Sequence, residues 1–148
     1  MSDDAKPHAM NTQHLTDNLP TQPVRVWGLP LMPYTEAQAL ARIDQLIATG
    51  KPSFFITANL NYAMLVDNDP HLAELNNQAA FLLADGMPLV WWSRLCPTPL
   101  PERVAGSDLI YAMCEQAAQK GHRIYLLGAG PGLLTKRPPI YVSVIPTS

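Results

Sequence analysis

The sequence predicts an α/β fold, in which a mostly parallel sheet carries helices on both faces. Short apolar runs, such as Phe54–Ile56 and Ala80–Ala84, alternate with segments of helical periodicity. Short loops rich in glycine and proline join them, and strands that alternate with helices in this way form βαβ units. An apolar fraction of 47% over 148 residues is enough for one domain with a single core.

The two ends of the chain depart from this pattern. Residues 1–23 are polar and show no periodicity, which predicts a disordered leader. Residues 24–132 carry the predicted α/β domain. Residues 133–148 include Pro138 and Pro139, which block the helix that should follow a glycine-rich turn. We therefore expect an irregular tail and a sheet that is incomplete at its C-terminus.

The first half of the domain begins with one short strand over Val24–Met32. Thr35 and Gln38 then form a capping box that starts a helix, and Gly50 ends it. Its apolar stripe is predicted to comprise Leu40, Ile43, Leu46 and Ile47.

A buried strand over Pro52–Asn59 comes next, followed by a helix from Leu60 to Val66. Asp69 and Pro70 then supply the cap and the first position of another helix. That helix is predicted to bury Leu72 and Leu75.

The second half repeats the alternation. A strand ends at Asp85-Gly86 and a helix follows, in which one of Trp91 and Trp92 is expected to face the core. A proline-rich loop leads to Ser107, the predicted N-cap of a helix that stops at Gly121. After this helix, a strand over Arg123–Leu127 and a glycine-rich turn over 128–132 are predicted.

Composition and motif spacing argue against several classes of function. The net charge of −2 shows no basic excess for nucleic acid. Cys96 and Cys114 form no Cys-x-x-Cys motif, no His/Cys cluster has zinc spacing, and no metal is predicted. The start of the chain does not read as a signal peptide, and no apolar run is long enough to span a bilayer.

Three short signatures carry polar side chains to strand ends or to the loop beyond. They are Thr57-Ala58-Asn59, Asp85-Gly86 and the block Pro101–Asp108. In open α/β sheets, ligands bind outside the carboxyl ends of the strands, so these side chains should converge on one crevice. Such a crevice suits a substrate with a hydroxyl to activate and a phosphate to hold.

Each candidate side chain also has a structural alternative. Asp85 can accept a proton from a hydroxyl nucleophile, or it can cap the helix that begins at Met87. Thr57 and Asn59 can hydrogen-bond a sugar, or they can form an ordinary polar turn. Arg103 can hold a diphosphate together with the amides near Ser107, or it can form a surface ion pair.

The glycine-rich segment Gly128–Gly132 fits an ordinary turn better than a dinucleotide-binding motif. It lacks the Gly-x-Gly-x-x-Gly spacing, and no acidic residue follows about twenty positions later. An NAD-type oxidoreductase is the alternative function that this turn leaves open.

Taken together, the three signatures resemble the WecG/TagA/CpsF family of bacterial glycosyltransferases over roughly residues 25–132. The resemblance implies a Rossmann-like fold and a metal-independent, inverting transfer that needs no cofactor. The implied donor is a UDP-sugar, often of N-acetylmannosamine, and the implied acceptor is an undecaprenyl-diphosphate-linked sugar. It further implies a cytoplasmic protein at the inner face of the membrane, serving the synthesis of teichoic acid or another cell-surface polysaccharide.

The resemblance also implies roles for individual residues. Asp85 is expected to be the general base, and Arg103 to stabilise the UDP diphosphate. Thr57 and Asn59 are expected to position the substrates. The remaining residues of the pocket are Gly86, Gly106, Ser107 and Asp108. Because the family continues beyond the glycine turn, a non-catalytic nucleotide-sugar-binding remnant is an alternative, and the uncovered sheet edge leaves homo-oligomers open.

Overall fold

A computed structural model of the protein describes residues 18–125. Its contacts divide the chain into two units, Met1–Leu109 and Ile110–Ser148, and the boundary falls inside the last described helix. The strands in the described part are β1 Val24–Val26, β2 Leu29–Leu31, β3 Ile56–Ala58 and β4 Leu82–Ala84. The helices there are α1 Glu36–Ala48, α2 Leu60–Asn68, α3 Pro70–Gln78, α4 Met87–Ser93 and α5 Gly106–Lys120.

The four strands form one sheet in the order β1-β2-β4-β3, and this confirms the α/β prediction. β4 pairs in parallel with β2 on one side and with β3 on the other, while β1 and β2 are antiparallel. All three residues of β4 are buried, so both faces of the sheet are covered at this strand. The fold is a mostly parallel, Rossmann-like α/β arrangement.

The single strand predicted over Val24–Met32 is in fact a tight hairpin. Val26 pairs with Leu29, which leaves Trp27 and Gly28 as a two-residue turn. Both have positive φ, 48° and 79°, as the type I′ turn of a right-twisted hairpin requires. The prediction failed because tryptophan stands at the first turn position, where asparagine usually marks such a turn.

The helix α1 starts as predicted. The Thr35 hydroxyl accepts from the Gln38 amide, and the Gln38 side chain accepts from the Thr35 amide. Gly50 ends the helix region with φ of 66°. The predicted stripe is only partly right, because Ile43 is buried whereas Ile47 is exposed.

The next two helices also begin at the expected residues, since Asp69 accepts from the His71 amide at the start of α3. The prediction that Leu75 is buried is wrong, and Leu72 is only half-buried. The buried residue of α3 is Asn76, whose Oδ1 accepts from the Tyr62 hydroxyl at 2.6 Å. A hydrogen bond between α2 and α3 therefore takes the place of an apolar contact.

The helix α4 differs from expectation in its tryptophans. Trp91 and Trp92 are 56% and 48% exposed, so neither ring is in the core. Leu89 and Val90 are buried instead. At the end of the helix, the buried Ser93 hydroxyl accepts from the Leu100 amide and so anchors the proline-rich loop.

The helix α5 begins one residue before the predicted cap. The Ala105 carbonyl accepts from the amides of Asp108 and Leu109, so Ser107 lies inside the first turn and is not the N-cap. Gly121 ends the helix with φ of 71°, as predicted. Residues 122–125 are in neither helix nor strand. The rest of the predicted strand Arg123–Leu127, the glycine turn, the tail and most of the leader lie outside the described residues.

Tyr34 is expected to make the protein less stable at alkaline pH. Its ring is 5% exposed and packs edge-on against Phe81. Burial raises the pKa of the Tyr34 hydroxyl above its ordinary 10.0, while Arg42 lowers it by less. The neutral form is thus favoured in the folded state, so this stabilisation is complete below about pH 10 and is lost as pH rises through the folded pKa.

Tyr34→Phe should therefore flatten the fall of the unfolding free energy between neutral pH and about pH 11, measured by urea denaturation. Tyr111→Phe, at an exposed position, is the matched control. An unchanged alkaline slope in Tyr34→Phe would contradict the assignment.

Candidate active site at the strand ends

The three signatures meet at one edge of the sheet. β3 and β4 are in register, with Ala58 opposite Ala84, so Asn59 and Asp85 each follow a neighbouring strand end. The Asp85 amide donates to the Ala58 carbonyl at 2.8 Å. The Val104 amide donates to the Ala84 carbonyl at 2.9 Å, which brings in the loop before α5. Parallel pairing thus places the signatures side by side.

Asp85 is half-buried and its carboxylate faces the start of α5. Its Oδ2 accepts from the Gly106 amide at 3.1 Å. The alternative that Asp85 caps α4 is not what the structure shows, because the N-cap of α4 is Gly86 and has no side-chain cap. The positive end of the α5 dipole favours a negative charge at this position. Asp85 Oδ1 makes no hydrogen bond within residues 18–125.

Of the two site glycines, Gly106 is the one that a close contact requires. A Cβ on Gly106 would lie 2.9 Å from Thr57 Oγ1 and 3.4 Å from Thr57 Cγ2. The absence of a side chain therefore lets the first turn of α5 rest on the end of β3. Gly86 is less restricted, since a Cβ there would lie 3.8 Å from Asn59.

Asn59 is the N-cap of α2. Its Oδ1 accepts from the Tyr62 amide at 2.9 Å, so the structural alternative is present in the molecule. The cap uses only the oxygen, and the Nδ2 donor makes no hydrogen bond to the described residues. One side chain can therefore cap the helix and still donate to a substrate.

Arg103 and Asp108 form an ion pair at the rim of the site. Arg103 Nη2 lies 3.2 Å from Asp108 Oδ2, with side chains 44% and 59% exposed. The Ser107 hydroxyl donates to the other Asp108 oxygen at 3.3 Å. An exposed pair of this kind contributes about 1 kcal/mol or less to stability. The guanidinium can thus exchange its partner for a ligand at low cost.

Glu102 makes a long-range hydrogen bond that no sequence pattern indicated. Its Oε1 accepts from the Glu36 amide in the first turn of α1 at 2.7 Å. The bond joins residues 66 positions apart and fastens the loop carrying Arg103 to α1. No local pattern identifies it, although the capping box at Thr35 leaves the Glu36 amide in need of an acceptor.

Within residues 18–125, no three His, Cys, Asp or Glu side chains come together as a metal site. No helix there is long and apolar enough to cross a membrane.

A model of the "Glycosyl transferase WecG/TagA/CpsF family" matches residues 24–137. The chain belongs to this family. All eight predicted site residues lie inside the matched range, and so does the sheet edge that brings their three signatures together.

The chain is also similar to a protein of Bacillus spizizenii named N-acetylglucosaminyldiphosphoundecaprenol N-acetyl-beta-D-mannosaminyltransferase. It is 31% identical to the chain over 86 residues, which cover 58% of the chain and 34% of the relative. The match thus spans about a third of the relative's length. The comparisons therefore support a glycosyltransferase of this family.

Proposed function

We propose that the protein is an inverting glycosyltransferase that uses a UDP-sugar donor and a lipid-diphosphate-linked sugar acceptor. The family and the named substrate of the Bacillus relative support a lipid-linked acceptor and an N-acetylmannosamine-like sugar. The observation that carries the proposal is the Asp85 carboxylate at the strand ends, oriented by the Gly106 amide. The reaction takes place at the inner face of the cell membrane, where such acceptors are presented.

In this mechanism Asp85 acts as the general base. One carboxylate oxygen is held by Gly106, and the other takes the proton from the acceptor hydroxyl. The hydroxyl oxygen then attacks the anomeric carbon from the side opposite the diphosphate. The bond between that carbon and the diphosphate breaks, and UDP leaves with the electron pair. A single displacement of this kind inverts the configuration at the anomeric carbon.

Thr57 and Asn59 position the two substrates. The Thr57 hydroxyl lies beside Gly106, and Asn59 directly follows the end of the same strand, β3. Both can hydrogen-bond sugar hydroxyls. Holding the hydroxyl and the anomeric carbon in line lowers the entropic part of the barrier.

Arg103 stabilises the diphosphate as negative charge develops on the leaving group. The loop that carries Arg103 is fastened to α1 by the hydrogen bond from the Glu36 amide to Glu102. It continues into α5, whose first turn contains Ser107. Helix N-termini and guanidinium groups are both suited to phosphate oxygens. Binding of UDP exchanges the Asp108 partner of Arg103 for the diphosphate or shares Arg103 between them.

Arg103→Lys is expected to weaken UDP binding about tenfold, because an ammonium cannot replace the bidentate guanidinium. Arg103→Ala should weaken it further. Isothermal calorimetry of UDP binding measures both. Glu102→Gln is the control, since glutamine keeps the oxygen that accepts from the Glu36 amide. UDP affinity that is unchanged in Arg103→Ala would refute this role.

The proposed reaction is tested by a panel of UDP-sugars with a short-chain lipid-diphosphate N-acetylglucosamine acceptor. Release of UDP that depends on the acceptor supports transfer. Tight UDP binding without release favours the non-catalytic alternative. Absence of UDP binding refutes the nucleotide-sugar assignment. Membership of a glycosyltransferase family argues against the alternative of an NAD-type oxidoreductase.

A further inference from the structure

All three tryptophans of the chain lie on one exposed apolar area outside the site. Trp27 is at the hairpin turn, and Trp91 and Trp92 are on α4. The Trp27 and Trp92 rings have their centroids 5.6 Å apart with a tilt of 47°. Leu95, one turn beyond Trp92, is 78% exposed. We call these four residues the tryptophan face.

Trp27 occupies a backbone position that disfavours it. Its φ of 48° lies in the left-handed region, where bulky side chains are rare and asparagine or glycine is usual. The ring is also 39% exposed, so it gains only part of the stabilisation that a buried tryptophan provides. A tryptophan at a turn position that favours asparagine or glycine is a reason to look for a role of its side chain.

The charged residues in the two chain segments that carry the tryptophan face are positive. Arg25 on β1 and Arg94 at the end of α4 are both exposed. No Asp or Glu occurs from Asn18 to Thr35 or from Gly86 to Pro101, although the whole chain has a net charge of −2. Arginines beside exposed tryptophans complement anionic headgroups, because tryptophan prefers the boundary between water and hydrocarbon.

The tryptophan face is also continuous with the candidate active site. α4 begins directly after Asp85-Gly86 and has seven residues, so it spans about 10 Å. Its first turn therefore lies at the strand ends, and its last turn bears Trp91 and Trp92.

We propose that the tryptophan face docks the protein on an anionic lipid surface. Tryptophan and leucine side chains enter the headgroup region, and Arg25 and Arg94 pair with lipid phosphates. Docking would bring the strand ends close to a lipid-anchored acceptor, and this functional role rests on the proposed transfer reaction. The binding itself rests on the exposed residues and their charges.

A second exposed apolar surface provides the internal control. On α2, Leu60, Met64 and Leu65 are 41%, 62% and 50% exposed. This helix contains Asp67, and no Lys or Arg occurs from Pro52 to Ser93. It thus offers apolar area without tryptophan or positive charge, and we expect it to contribute little to lipid binding.

The test uses the full chain with vesicles of phosphatidylcholine alone and of phosphatidylcholine with an equal amount of phosphatidylglycerol. Co-sedimentation should show binding to the mixed vesicles, weakened by added salt. Because every tryptophan belongs to the tryptophan face, fluorescence excited selectively in tryptophan reports on this face. Its emission should shift to shorter wavelength when the mixed vesicles are added.

Trp27→Asn is the most informative variant. It creates the Asn-Gly pair preferred in this turn, so thermal stability should stay equal or rise. Binding to the mixed vesicles should nevertheless fall about tenfold, because a large apolar ring is lost from the interface. Leu95→Gln should act in the same direction, and Met64→Gln should leave vesicle binding unchanged.

Absence of binding to the mixed vesicles, or equal binding by wild type and by Trp27→Asn with Leu95→Gln, would overturn the proposal. So would a self-associated state in sedimentation that the same variants dissociate, because the face would then contact a second copy. Vesicle binding requires no turnover. A failed transfer assay and a failed docking assay are therefore separate results.

Discussion

Asp85→Asn is expected to lower turnover by about 10²–10⁴-fold, the usual range for loss of an acid–base group. The asparagine oxygen can still accept from the Gly106 amide, as Asp85 Oδ2 does at 3.1 Å. The contact with α5 is thus retained while the basic oxygen is lost. Initial rates of UDP release with the lipid-linked acceptor measure the effect.

The matched control is Asp69→Asn, because Asp69 caps α3 through the His71 amide and lies at no strand end. It should leave turnover unchanged. Asp85→Ala separates the two roles of Asp85, since it also removes the bond to Gly106 and should lower the melting temperature. Near-normal turnover in Asp85→Asn would show that another group takes the proton.

Gly106→Ala is expected to have the second large effect. The new methyl group would lie 2.9 Å from Thr57 Oγ1, which is closer than such atoms approach in proteins. Thr57 is β-branched and stiff at χ1, so either it or α5 must move. We expect a stability loss of about 1–3 kcal/mol, as for other overpacked sites. Turnover should fall about 10²-fold, because a shift of 1 Å can cost that much.

Gly86→Ala is the control for Gly106→Ala. Its nearest contacts would be at 3.8 Å, and the backbone of Gly86 is extended, so alanine fits. Adding Thr57→Ser to Gly106→Ala should recover much of the stability, since serine lacks the methyl group and rotates more easily. Urea unfolding of the wild type, of Gly106→Ala, of Thr57→Ser and of the double variant gives the coupling energy. Full additivity would mean that Thr57 and Gly106 do not meet as described.

Much of the fold could be predicted from the sequence because its signals are local. The capping box at Thr35, the cap at Asp69 and the stop at Gly121 depend on hydrogen bonds between residues only a few positions apart. The order and spacing of a few neighbouring residues are enough to reveal such features. The hairpin at Trp27 escaped prediction because its turn lacks the residue that usually marks it.

Burial was harder to predict than helix position. Ile47, Leu75 and both α4 tryptophans are exposed, whereas the sequence predicted that Ile47, Leu75 and one of the two tryptophans would be buried. Periodicity finds an apolar stripe but not the neighbouring element that covers it. At Asn76 a hydrogen bond from Tyr62 stabilises a buried polar residue, which hydrophobicity cannot indicate.

The sequence by itself determined the alternation of strands and helices from β3 to α5 and the three polar signatures near the strand ends. Only the tertiary structure decided how those signatures interact. The bonds from Gly106 to Asp85 and from Glu36 to Glu102 cross 21 and 66 positions. They depend on which strands are neighbours and on where a long loop lies. Strand pairing and loop packing are long-range choices, so no local pattern could show that Asp85 faces α5 and not α4.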